Sequence, residues 1–162
     1  MWYNYDISQI KGGDNLVCIF FGHSDCYGLD ENVLKNAIED LIRKGADTFY
    51  VGNQGYFDGM VFSSLMALKK YYSNISFSVI LAYLPTQKSE YDFYRGYSMY
   101  PEGQEKGPHK FAIVRRNRWM IEQGKGGYCV CCINHTWGRA YKFVKQAKSR
   151  GITIINLGSV EL

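Results

Sequence analysis

The sequence predicts an α/β domain in which a mainly parallel sheet is flanked by helices in three layers. Three observations predict it. Short continuous apolar runs, closed by glycine or proline, alternate with amphipathic stretches of helical period. Strand and helix signals follow one another along the chain, which implies parallel pairing through right-handed crossovers. The 162 residues, 46% hydrophobic and 21% charged, suit one folded domain rather than a disordered chain.

The elements follow in order. Leu16 to Phe21 is an apolar run ending at Gly22, the pattern of a strand covered on both faces. From Leu29 to Arg43, the positions Val33, Leu34, Ala37, Ile38, Leu41 and Ile42 recur at helical spacing. Asp30 and Glu31 open that stretch, Arg43 and Lys44 close it and Gly45 follows, which suits the helix dipole and a left-handed stop. Thr48 to Val51 reads as a second strand, and a helix runs from the loop GNQGYFDG to about Tyr72. Phe77 to Leu84 is a third strand stopped by Pro85. The polar, tyrosine-rich segment 85–109 is long for a plain connection, so it is a flap or holds a short helix near Glu90 to Tyr94. Phe111 to Gln123 is a helix, Tyr128 to Ile133 a strand, Arg139 to Arg150 a helix and Ile152 to Ile155 the last strand. Residues 1–15 form an N-terminal extension to a single domain. The order makes the fold a Rossmann-like three-layer sandwich.

Composition narrows the function. A net charge of +4 is too weak for duplex DNA binding unless it is focused on one face. Fourteen Tyr, nine Phe and three Trp favour a ligand groove or a subunit contact, and a homodimer is compatible with them. Five cysteines, at 18, 26, 129, 131 and 132, lack the paired spacing that chelates zinc; they read as buried reduced thiols, which fit the cytosol. The start MWYNYDISQIK has no basic lead and apolar core, so no signal peptide is predicted. LVCIFF and FSVILAYL fall short of the roughly 20 residues that span a bilayer, so the expectation is a soluble, cytoplasmic protein without a membrane partner.

In parallel sheets ligands bind beyond the carboxyl ends of the strands, where helix N-termini offer free N–H groups. The loops there are GHSDCYG (22–28), GNQGYFDG (52–59) and NHTWGRA (134–140). Each carries glycine, as turn punctuation or as part of a phosphate cradle. None matches GxGxxG or the Walker pattern, which argues against an NAD dehydrogenase or a P-loop ATPase. Asp58 opens a helix, as an N-cap or as a carboxylate for ribose hydroxyls or a proton. RRNRWM (115–120) is a solvated face or turns one guanidinium, with Asn117 and Met120, to the sheet edge, where it suits phosphate or carboxylate. His23 and His135 are polar contacts or acid–base groups.

At these loops the chain resembles the SLOG superfamily, and more closely the small DUF1273 or YpsA-like proteins. There a GG-x-x-GFD-like loop, an RN-x-x-M helix and a GGTAY-like loop recur in this order. The likeness runs from about Leu16 to Leu157. Gly52, Gly55, Phe57 and Asp58 match the first motif; Arg116, Asn117 and Met120 match the second; Gly138, Ala140 and Tyr141 match the third. Asn53 stands where a second glycine is common, and Trp137 and Arg139 replace a Gly and a Thr; the Trp either stacks on a base or narrows the phosphate site. The resemblance implies a Rossmann-like domain that binds a nucleotide or an ADP-ribose-like ligand, with no further cofactor required and no metal ligands. The expected ligand-binding residues are Gly22, His23, Ser24, Gly52, Asn53, Gly55, Phe57, Asp58, Arg116, Asn117, Trp137, Gly138 and Arg139.

The LOG-type phosphoribohydrolases of the same superfamily cleave the N-glycosidic bond of nucleoside monophosphates and carry a motif glutamate. Phe143 takes that place here, and Asp58 or Asp25 would have to substitute. Catalytic residues are therefore not assigned, and binding is favoured over hydrolysis. Single-strand nucleic-acid binding, through aromatics and a track of Arg115, Arg116 and Arg118, is the least favoured of the three.

Overall fold

A strand covered on both faces must be apolar at every position, and the first apolar run meets that demand. A computed structural model describes residues 15–86, 94 and 96–162. In it β1, Val17–Gly22, sends Cys18 and Phe20 into one core and Ile19 and Phe21 into another. The first core is shared with α1 (Glu31–Arg43) and α2 (Tyr56–Lys69), through residues such as Leu34, Ile38, Val61 and Leu65. The second is shared with α3 (Ala112–Gly124) and α4 (Arg139–Ser149), through Met120, Ile121, Phe143 and Val144. Helices thus cover both faces, giving the Rossmann-like three-layer sandwich.

The remaining strands are β2 (Thr48–Val51), β3 (Ser76–Ile80), β4 (Ser98–Met99), β5 (Tyr128–Cys132) and β6 (Thr153–Asn156). They form one six-stranded sheet in the order β4-β3-β2-β1-β5-β6, with every neighbouring pair parallel. Local signals hold where they are strong. Asp30 caps α1, its Oδ1 accepting the Asn32 N–H at 2.7 Å, and Gly45 follows the helix at φ +104°.

Two expectations are corrected. β3 ends at Ile80 rather than Leu84, because side chains capture the carbonyls at its end. Arg116 Nη1 takes the Ile80 oxygen at 2.9 Å, and Gln104 Nε2 takes that of Ala82 at 3.1 Å. The 85–109 segment also contributes an edge strand, β4, which two residues of sequence did not signal; the helix expected near Glu90 to Tyr94 lies, apart from Tyr94, outside the described residues. So does nearly all of the N-terminal extension.

From β1 to β4 the chain steps steadily toward one edge, then returns across the other face through α3 to place β5 beside β1. Gln104, buried in this return, also donates to the Ala112 oxygen, while Arg115 donates to the Gln104 and Pro108 carbonyls. All five cysteines are buried and free. Among the described residues no helix is long and apolar enough to cross a membrane.

Two asparagine side chains hold the C-terminal tail: Asn134 Oδ1 accepts the Ser159 N–H at 3.1 Å, and Asn156 makes the larger set of bonds. Asn156 Oδ1 accepts the N–H of Ile133 (2.9 Å) and Gly158 (3.0 Å), and its Nδ2 donates to the Ile133 and Val160 carbonyls. Asn156→Asp replaces that donor with an oxygen facing two carbonyls, so it lowers stability by about 2–3 kcal/mol, read as a shift of the urea midpoint at unchanged slope.

Candidate functional site

A doubly wound sheet opens a crevice where successive crossovers leave for opposite faces. β1 leads into α1 on one face and β5 into α4 on the other, so the crevice lies at the carboxyl ends of β1 and β5. A cavity of about 400 Å³ occupies it, within the roughly 300–1,000 Å³ common for small-molecule sites. Gly22, His23 and Ser24 reach it from the end of β1, and Gly52, Gly55 and Asp58 from the β2–α2 turn. Arg116 and Asn117 reach it from α3, and Trp137, Gly138 and Arg139 from the start of α4. Of the residues expected there, Asn53 and Phe57 do not line it. Phe57 is buried in the core with its ring where a Cβ on Gly22 would sit, and the Asn53 amide oxygen accepts from Gln54.

Arg116 is 3% exposed. Its Nε donates to Asn117 Oδ1 at 2.7 Å and its Nη1 to the Ile80 carbonyl at 2.9 Å. Gly52 makes this possible, since a Cβ there would lie 2.7 Å from Nη1. Gly22 and Gly52 therefore admit the protein's own side chains, whereas Gly138, at φ +94°, caps α4 in a conformation that favours glycine. Neither a side-chain cap nor an acidic first-turn residue serves α4, so its N-terminal N–H groups and dipole remain available to an anion.

Asp58 is not the N-cap of α2; Gly55 is. Asp58 sits in the first turn and its carboxylate accepts the Gln54 N–H at 2.8 Å and that of Gly55. Burial raises the Asp58 carboxyl above its usual range, opposed by the Arg116 charge and by those two bonds. Burial conversely lowers the Arg116 pKa, with Asp58 opposing and the Arg139 charge adding to the effect. Two guanidinium groups that repel each other therefore face one cavity. No ion pair between either of them and a carboxylate is present among the described residues.

Three rings form a ladder at the rim. His23 stacks on His135 with centroids 3.6 Å apart, and His135 on Trp137 at 3.7 Å. Trp137 is 68% exposed, leaving its outer face to solvent. Burial and then the neighbouring His135 lower the His23 pKa, opposed by the His135 carbonyl and Asp25. The basic track does not form, because Arg115 is tied to loop carbonyls and Arg116 is buried. The place of the glycosidase-type glutamate, Phe143, is in the core against Phe21.

Phe20, Phe21 and Ile113 also line the cavity and lie outside the strand-end loops and motifs, whereas Asp25, Gln54, Met120, His135 and Ala140, which the motifs and loops include outside the expected ligand-binding set, line it too. Ile113 has a signal in the sequence, since it lies one turn before Arg116 at helical spacing, as Met120 lies one turn after it. No known protein-family model matches the chain, and no curated protein matches it.

The raised Asp58 pKa carries a sign. Between its ordinary value of 3.8 and the raised one, the folded state holds the proton more tightly than the unfolded chain. This group's stabilising contribution is thus complete in acid and lost as pH rises through the folded value. Asp58→Asn removes that loss, so the melting temperature of the variant relative to the parent rises from pH 4 toward neutrality, as calorimetry in matched buffers will show.

Proposed function

We propose that the chain is a SLOG-type module that binds a nucleotide or nucleotide-derived ligand, acting as a cytoplasmic sensor or regulatory partner. The observation that carries this reading is the convergence of Arg116, Arg139 and the N-terminus of α4, which has no side-chain cap, on one cavity at the β1–β5 crevice. Cations held together without a carboxylate ion pair, beside a positive helix end, suit a phosphate. Asp58, with two lone-pair positions occupied by backbone N–H groups, has acceptor capacity left for ribose hydroxyls. The outer face of Trp137 offers a stacking surface for the base.

AMP and ADP-ribose, each at 100 times its dissociation constant, add about 2.7 kcal/mol of stability. For a chain of this size that raises the melting temperature by roughly 5–10 °C. Arg139→Ala and Trp137→Ala, both at exposed positions, leave the ligand-free melting temperature unchanged and weaken binding by about tenfold or more. A nucleotide panel without any thermal shift sinks the reading.

A second reading, N-glycosidic cleavage of nucleoside monophosphates, rests on Asp58 as a carboxyl of raised pKa inside the cavity. Chromatography for free base distinguishes the two: release above an Asp58→Asn control supports turnover, and its absence leaves binding alone.

A further inference from the structure

We propose that His23, Asp25 and His135 form a binding site for a first-row divalent transition-metal ion, of which Zn²⁺ is the natural probe. One donor atom from each lies within 4.8 Å of the other two. His135 Nε2 and Asp25 Oδ2 are 3.8 Å apart. Two imidazoles and one carboxylate are a recognised donor set for such ions, with coordination positions left open for water or ligand.

The hydrogen bonds around the rings fix which nitrogens are free. His23 Nε2 lies 3.3 Å from the His135 carbonyl, and His135 Nδ1 lies 3.0 Å from the Trp137 carbonyl. A carbonyl oxygen only accepts, so both of these nitrogens carry protons and act as donors. The bare lone pairs are then Nδ1 of His23 and Nε2 of His135. Backbone carbonyls that orient metal-ligating imidazoles in this way are the usual outer support of such sites. The backbone is also held: the His23 N–H donates to the Cys132 carbonyl, and the Cys26 N–H to that of His23.

As a plain ion pair, Asp25 and His135 do little. The contact is long, the Asp25 side chain is 60% exposed, and a charged His135 would lie stacked on His23. The two rings stack rather than converge, so sharing one ion requires them to splay. That motion alters the contact between His135 and Trp137, and gives the site an optical signal. All three residues line the same cavity as Arg116, so an ion held there adds positive charge to it.

The test uses metal alone. Chelator-treated full-length protein is titrated with Zn²⁺ by calorimetry and with Co²⁺ by absorption, without nucleotide. The expected result is a single equivalent of Zn²⁺, visible d–d bands with Co²⁺, and a change in tryptophan fluorescence that Trp137→Phe abolishes. Asp25→Asn and His135→Gln each weaken Zn²⁺ binding by more than about tenfold, with the melting temperature of the metal-free protein as the check that both fold. Absence of binding, unchanged binding in both variants, or a thiolate-to-cobalt charge-transfer band overturns the site. Nucleotide binding measured in chelator is read separately, so failure of one reading leaves the other standing.

Discussion

A buried guanidinium is the constraint on which the arrangement of this molecule turns. Taking such a charge out of water costs several kcal/mol unless its donors are satisfied. Arg116 meets that demand with the Ile80 carbonyl and the Asn117 amide. The first of these bonds ties α3, on one face of the sheet, to the end of β3 and limits how far that strand runs; the second, within α3, holds the guanidinium in place. Gly52 belongs to the same arrangement, because any side chain there would occupy the space of the guanidinium. One residue thereby ends a strand, dictates a glycine and brings positive charge to the crevice.

The crevice itself follows from topology rather than from any motif. The chain steps outward from β1 to β4 and must come back to lay β5 against the free side of β1. Gln104 and Arg115 fasten that return to backbone carbonyls, adding to the few turn hydrogen bonds the segment makes with itself. Once β5 is in place, the loops after β1 and β5 face each other. His23 and His135, 112 positions apart, then come into ring contact.

Glycine illustrates how one sequence signal divides into separate physical roles. Three strand-end loops carry it, and the sequence alone offers turn or cradle for each. In the fold, Gly22 accommodates the ring of Phe57, Gly52 accommodates Arg116, and Gly138 takes a left-handed backbone at the start of α4. Asp58 behaves similarly: its carboxylate holds the Gln54 and Gly55 N–H groups at the start of α2, whose N-cap is Gly55, and it lines the cavity as well, because the first turn of α2 points into the crevice.

The sequence by itself determined the layers. Short continuous apolar runs such as Val17–Gly22 and Tyr128–Cys132, bounded by turn residues, signal strands covered on both sides, and the periodicity of Glu31–Arg43 signals a helix with one buried face. It also carried the strand-end loops, since glycines and polar residues there break every apolar run. Tertiary structure decided what those loops do together. The two-residue strand β4 exists only because an edge of β3 was open to pair with it, and Asp25, His23 and His135 become neighbours only when β5 docks on β1. Local patterns fix backbone conformation over a few residues; distances between remote side chains depend on how the sheet is ordered, which no short stretch of chain encodes.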